Sequence, residues 1–437
     1  MKNKLLIMVM LLGLLCTACS SGTVSNEPRY TLPDNRVSLD TTSKKTDNDA
    51  NVAVPADAPV QPSENTEEWK TPQQAEENNT LSQKGAYILD RVAAQQICEK
   101  YTAVAAQAAV IRDGEVVGSY NFGLADAAKN TAVETDTKFR VASLTKLVTA
   151  IVCMQLVDQG KLKLDEDIST YYGFTVRSPY FADVPITLRM IMTHTASLAD
   201  GVVFNNALNN SQIPVKTVLL DRSSFSSAKP GTVHNYSNID YAVVGSICET
   251  VCGKNFDTLA KELLFEPLGL GCSYHAAGVA DASKIALLYD GDATVVNEAK
   301  ATFSSVVGQT MYITQGNLIA SATDYAQILC LLLNGGLTSD GIRLLSEESA
   351  KTVSSVLYED SAYKVGFGCF IQDNVITGKT VFTHTGSAYG MYSAYAADLS
   401  GKDGVVVLTT GASGTKDAPT EIYNVDLEMI RLLWPTD

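Results

Sequence analysis

Four serines in the 437-residue chain stand three places before a lysine: Ser143, Ser226, Ser361 and Ser413. Such a pair can turn a hydroxyl into a nucleophile. A lysine held beside a serine in a cleft sheds its proton near neutral pH through desolvation and neighbouring cations, and the free amine then acts as base. Context selects Ser143. Alone of the four, it follows a strand-like Phe139-Arg140-Val141 and opens a long apolar run to Gln159, in which Leu147, Ile151, Met154 and Val157 recur at near-helical spacing before Gly160. At a helix start its hydroxyl and amide face the positive end of the dipole, where an oxyanion is stabilised, and Lys146 lies one turn on, on the same face.

Two other segments could complete the chemistry. In Asn235-Tyr236-Ser237-Asn238, a polar turn before a helix, Tyr236 offers a phenol for proton transfer and a neighbouring amide can orient a substrate carbonyl. In Phe382-Thr383-His384-Thr385-Gly386-Ser387, a strand ends in small residues that let a substrate approach and lie antiparallel to it. There the amide of Ser387 would face the reacting carbonyl as a second oxyanion donor. Other chemistries lack their motifs. The chain has no Gly-x-Ser-x-Gly, His-Glu-x-x-His, Gly-x-x-x-x-Gly-Lys-Ser/Thr or Gly-x-Gly-x-x-Gly, and only four histidines.

The elements that must position these groups begin beyond about Leu81. Apolar spacing predicts a helix over Gly85 to Tyr101, and Ala108 to Val117 reads as two strands joined at Asp113-Gly114. Residues 143–299 alternate helical runs with polar loops, including helices near Tyr241 to Cys252 and Phe256 to Leu264. A strongly apolar helix over Ala322 to Leu333 then gives way to strand signals at Gly366 to Ile371, Thr380 to Thr383, Tyr392 to Ala397 and Val405 to Thr409. The early hairpin and the late strands are expected to share one antiparallel sheet, so that 83–142 and 300–437 form an α/β layer and 143–299 an inserted, mostly helical lobe.

The first residues point to export. Lys2 and Lys4 precede the apolar stretch Leu5 to Leu15, too short to span a bilayer but suited to a secretory signal over residues 1–18. Cys16-Thr17-Ala18-Cys19 resembles a bacterial lipobox, which makes Cys19 the expected lipidation site, with Cys16 as the alternative. Residues 19–82 are rich in Asn, Asp, Glu, Thr, Ser and Pro and read as a tether. The expected location is therefore outside the cytoplasm, anchored by lipid to the bacterial cell membrane. A net charge of −15 argues against nucleic-acid partners. Seven cysteines remain beyond the signal region, an odd number for a fully paired framework, and most sit in apolar runs.

In their order, Ser-x-x-Lys, Tyr-x-Asn and His-Thr-Gly, these segments resemble the β-lactamase-related serine hydrolases, a group that includes class C β-lactamases, D-alanyl-D-alanine carboxypeptidases and certain esterases. Phe139 to Lys146, Met192-Thr193-His194-Thr195, Asn235 to Asn238, Gly316 to Ser321 and His384 to Ser387 carry the likeness. The resemblance implies an α+β, β-lactamase/transpeptidase-like fold, with an antiparallel sheet flanked by N- and C-terminal helices plus the inserted lobe. It implies Ser143 as acylated nucleophile, Lys146 and Tyr236 as the proton-transfer pair, and the amides of Ser143 and Ser387 as oxyanion hole. Substrate would be held by Asn238, His384, Thr385, Gly386 and Ser387, with no metal and no organic cofactor.

Two departures stand out. The family's Ser-Gly-Leu after Thr-His-Thr is Ala196-Ser197-Leu198 here, so a turn glycine is missing beside the cleft. His384 replaces the lysine of many β-lactamases, and a mostly neutral imidazole offers less charge to a carboxylate. The expected substrate is accordingly a peptidoglycan stem peptide, cleaved in the manner of a D-alanyl-D-alanine carboxypeptidase, or another small amide or ester. A class C-like β-lactamase is the alternative, and a non-catalytic cell-wall peptide-binding module is an alternative of another class.

Overall fold

Asp113 and Gly114 both adopt positive φ, 51° and 77°, and this pair turns strand β1 (Ala105–Arg112) directly into β2 (Glu115–Asp126). A computed structural model describes residues 89–435 apart from 211, 292–293, 296–305 and 310–312. The signal, Cys19, the tether and the expected domain start at 83 lie outside the described residues. The first helix, α1 (Arg91–Lys100), starts after Asp90, whose carboxylate accepts from the amide of Ala93.

β1 is buried on both faces, and its side chains alternate between two cores. Ala105, Ala109 and Ile111 pack with one cluster, and Ala106, Ala108 and Val110 with the other. Its partner on the second edge is β11 (Asp403–Thr410), nearly three hundred residues later, with Ala109 opposite Val406. Between them in sequence come β3 (Thr131–Ala132), β4 (Phe139–Arg140), β5 (Ile319–Ala320), β6 (Tyr358–Glu359), β7 (Lys364–Val365), β8 (Phe370–Gln372), β9 (Val381–Ala388) and β10 (Met391–Asp398). Nine strands form one antiparallel sheet in the order β3-β2-β1-β11-β10-β9-β8-β7-β6, while β4 and β5 pair separately.

Between β4 and β5 the named elements of the described residues are helical. They are α2 (Thr145–Asp158), α3 (Ser169–Tyr172), α4 (Leu188–Met192), α5 (Val202–Asn209), α6 (Val215–Leu220), α7 (Asn238–Cys252) and α8 (Phe256–Ala260), with single 3-10 or π turns. α9 (Ala322–Leu333), α10 (Glu347–Val353) and α11 (Asn424–Leu433) follow. α2 is buried from Thr145 to Leu156 and α9 over most of its length, as expected of helices apolar all round. α1 and α11 cover the opposite sheet face, through Ala94, Cys98, Leu427, Ile430 and Leu433. The fold is thus α+β, an antiparallel sheet flanked by N- and C-terminal helices. The seven cysteines among the described residues are free thiols, and only Cys252 is not buried.

The structure moves several expected boundaries. Ser143 does not itself begin the α-helix: it sits in a 3-10 turn, Ala142–Leu144, and α2 starts at Thr145, whose hydroxyl donates to the carbonyl of Ala142. The strand expected over Gly366 to Ile371 is a turn up to Cys369 and only then β8, because Gly368 at φ 67° brings that turn against the backbone of Lys146 and Leu147. The strand expected at Thr380 to Thr383 runs on to Ala388, so His384 to Ser387 are all strand residues.

Candidate active site

Ser143, Lys146 and Tyr236 meet within hydrogen-bonding distance. The serine turn is fixed from both sides. Ser393 on β10 donates to the carbonyl of Val141 at 2.9 Å, and Gly386 on β9 lies where a Cβ would stand 2.8 Å from that same oxygen and 3.1 Å from Ala142. Only glycine lets β9 approach so closely. Ala142 is in the left-handed region at φ 50°, a strained conformation immediately before the candidate nucleophile.

Lys146 Nζ lies 3.1 Å from Ser143 Oγ, 2.9 Å from Asn238 Oδ1 and 2.8 Å from the carbonyl oxygen of Gln315. The side chain has no solvent exposure, and desolvation brings its pKa down to about 7, against the opposing pull of the Asp200 carboxylate. From the other side the Tyr236 hydroxyl donates to Ser143 Oγ at 3.0 Å, and Lys146 Nζ stands 4.9 Å from the centre of its ring. A neutral amine can donate to Asn238 and Gln315 and still accept the proton of Ser143, whereas an ammonium must donate to all three. This arrangement can deprotonate the serine and carry its proton toward a departing group.

Asn238 is committed inside the molecule: its carbonyl receives Lys146, and its Nδ2 donates to Asp200 at 2.9 Å. Asp200 also accepts the backbone amides of Asn238 and Ile239, closing the N-terminus of α7. Asn238 thus bridges Lys146 and Asp200, contacts that the expectation of a ligand for a substrate amide did not include. Behind Tyr236, the His194 ring packs 4.6 Å from the tyrosine ring and its Nδ1 lies 2.7 Å from Asp240 Oδ2. The distance alone would suit an ion pair. Burial, however, drives His194 down to about 3 and the Asp240 carboxyl well up, so the neutral pair, in which Asp240 donates to Nδ1, is favoured.

Beyond Ala388 the strand turns away, and before it β8 pairs with β9 only through Val381 to Thr383. Residues 384–388 therefore have no strand partner on the β8 side among the described residues, and a cleft of about 300 Å³ opens there. Ser143, Tyr236, Thr383, His384, Thr385 and Ser387 are among its lining residues. His384 donates from Nδ1 to the carbonyl of Thr385 at 2.6 Å, and burial together with the nearby Lys146 lowers its pKa to about 3. It is neutral at pH 7, more firmly than its residue type implied. Ser387 Oγ lies 3.0 Å from the hydroxyl of Tyr423.

The missing glycine has a physical resolution. Ser197 adopts φ 63° in its place and donates from Oγ to the carbonyl of Ala228 at 2.6 Å, which fastens the loop. Residues that sequence reasoning missed are Asp200, Gln315 and Tyr423, all on loops and far in sequence from the groups they serve. An aspartate shortly after the Thr-His-Thr segment was the one available signal for Asp200.

The family model described as Beta-lactamase matches residues 89–429. The chain belongs to the β-lactamase family. It is a serine hydrolase of that family. Penicillin-binding protein 4 of Amycolatopsis lactamdurans is 26% identical over 306 residues, covering 69% of this chain and 79% of its own length. The D-alanyl-D-alanine-carboxypeptidase/endopeptidase AmpH of Escherichia coli (strain K12) is 23% identical over 311 residues, covering 70% and 73%. In fold, the chain is similar to a class C β-lactamase from Rhodobacter sphaeroides, with a TM-score of 0.59 at 19% identity over 78% of this chain and 96% of the other.

Proposed function

We propose that this β-lactamase-family hydrolase works through an acyl-enzyme on Ser143, with Lys146 and Tyr236 as its proton-transfer pair. The observation that carries this reading is the sharing of one hydroxyl oxygen by an amine at 3.1 Å and a phenol at 3.0 Å, the amine poised near neutrality by burial. Neutral Lys146 takes the proton as Ser143 Oγ attacks an amide or ester carbonyl. The oxyanion is received by the amides of Ser143 and Ser387. The carbon–nitrogen or carbon–oxygen bond then breaks as the departing atom is protonated by way of Tyr236, and water releases the acid by the reverse relay.

The substrate is read as a small peptide or ester of the D-alanyl-D-alanine carboxypeptidase type, bound along the open edge of β9 at Thr385, Gly386 and Ser387. AmpH, whose name records such an activity, supports this assignment. A neutral His384 argues against a specialist for β-lactam carboxylates. The site is proposed to face the exterior of the cell, on a chain held to the membrane through lipid on Cys19 and a tether to about residue 82.

Labelling of the full-length protein with a fluorescent penicillin and, separately, a fluorophosphonate tests the reading. The adduct is expected on the peptide containing Ser143 and is expected to vanish in Ser143→Ala. Labelling elsewhere, or none with either probe, would overturn it. Sustained turnover of a chromogenic cephalosporin would instead favour a class C-like β-lactamase.

A further inference from the structure

One wall of the cleft is built of rings. It starts at Tyr236, whose ring centre lies 5.9 Å from that of His384. His384 lies 5.4 Å from Phe370, which in turn stands 5.9 Å from both Tyr363 and His234, themselves 4.7 Å apart. All five line the same cleft as Ser143. They come from four separate segments. His234 and Tyr236 precede α7, Tyr363 is in the β6–β7 turn, Phe370 is on β8 opposite Thr383, and His384 is on β9.

The wall is pre-formed and without formal charge. The Tyr363 turn is held by Asp360, whose carboxylate accepts the amides of Ala362 and Tyr363 at 2.8 Å. Burial keeps His234 neutral, its pKa down to about 4, and His384 likewise. The charged pair that lines the cleft, Lys416 and Glu421, is engaged with itself at 3.8 Å. Tyr363 is nevertheless 43% exposed and Tyr236 38%, so ring surface is left open to whatever enters. A methyl group would cover little of it; an aromatic ring would meet the preferred tilted and edge-on geometries.

The wall also has a direction. Its first ring belongs to Tyr236, whose hydroxyl touches Ser143 Oγ and stands where a departing atom takes up its proton. The fragment that departs must therefore pass along the Tyr236 side. Resting on the acyl-enzyme reading above, we propose that the leaving-group side of this cleft selects an aromatic side chain, held by His234, Tyr363 and Phe370, so that the favoured substrate releases an aromatic D-amino acid or its hydroxy-acid counterpart.

The test compares kcat/KM of the full-length protein on matched acetyl-D-alanyl donors whose leaving group is D-phenylalanine, D-alanine or D-lysine, and on the esters of D-phenyllactate and D-lactate. The aromatic member of each series is expected to lead by about tenfold or more. In Tyr363→Ala and Phe370→Ala, and in the bulk-preserving Phe370→Leu, the aromatic-to-alanine ratio is expected to fall toward one. A ratio near one in the wild type, a ratio untouched by all three substitutions, or an aromatic preference that appears only when the ring is on the acyl side would each overturn the proposal. If Ser143 accepts a fluorophosphonate while the ratio is one, only this specificity fails. If Ser143 stays unlabelled and no donor is cleaved, the acyl-enzyme reading itself has failed and the specificity goes with it.

Discussion

At the scale of single residues, the site turns on how many protons Lys146 carries. Its three neighbours, Ser143 Oγ, Asn238 Oδ1 and Gln315 O, can each accept, so an ammonium there is fully paired and chemically idle. On the proposed mechanism, activity requires the neutral form. The rate of Ser143 acylation by a neutral probe is expected to rise with pH through about 7 and then level off, and Lys146→Ala is expected to lower the plateau by about 10²–10⁴-fold. Asp200 favours the ammonium by its charge, so Asp200→Asn should move the rising limb to lower pH. A limb that stays in place, measured by stopped labelling across pH 5 to 9, would mean that another group controls the rate.

At the scale of elements, the loop from Thr193 to Leu198 accepts strain to bring His194 and Asp200 to the site. Ser197 at φ 63° sits where a side chain costs about 1–2 kcal/mol, and it gives back part of this through its hydrogen bond to Ala228. Ser197→Ala keeps the strain and loses the bond, so it is expected to destabilise the protein by about 1 kcal/mol. Ser197→Gly exchanges one for the other and should lie closer to wild type in urea unfolding. Equal stability of the two variants would refute this account. The loop also marks how far the sequence was legible. The Asp113-Gly114 hairpin, α9 and strands β9 to β11 could be read because turn chemistry and periodicity are local. Ser143, Lys146 and Tyr236 could be singled out because each lies in a short motif. The commitment of Asn238 to Lys146 and Asp200 could not, since both contacts are made across long stretches of chain. β6, β7 and β8 are two or three residues long and carry no period to read. The ring wall draws on four segments, and Tyr363 and Phe370 lie in two that carry no motif.

At the scale of the whole molecule, the sheet is closed by β1 meeting β11, and α11 then seals its outer face. Asp426, in the first turn of α11, is fully buried there. Thr409 on β11 donates to its Oδ1 at 3.0 Å, and Oδ2 has no hydrogen-bond partner among the described residues. A carboxylate at a helix N-terminus is ordinarily favoured, yet desolvation prevails and lifts the Asp426 pKa to about 8. The folded protein therefore holds a proton that the unfolded chain releases near pH 4. The stability contributed by this group is complete below that value and declines as pH rises to about 8, by on the order of 1 kcal/mol per pH unit. Asp426→Asn retains an acceptor for Thr409 but has no proton to lose. Its stability relative to wild type should increase from pH 4 to 8 and then level off; the buried histidines and Lys146, common to both proteins, cancel from the difference. Urea unfolding of both proteins at pH 5, 6.5 and 8 provides the measurement. A difference that does not change with pH would mean that Asp426 is already ionised in the folded state. Because the segment leading into α11 brings Tyr423 to Ser387, the same titration should also loosen the cleft: at alkaline pH the Asn variant is expected to keep its Ser143 labelling at temperatures where the wild type has begun to lose it.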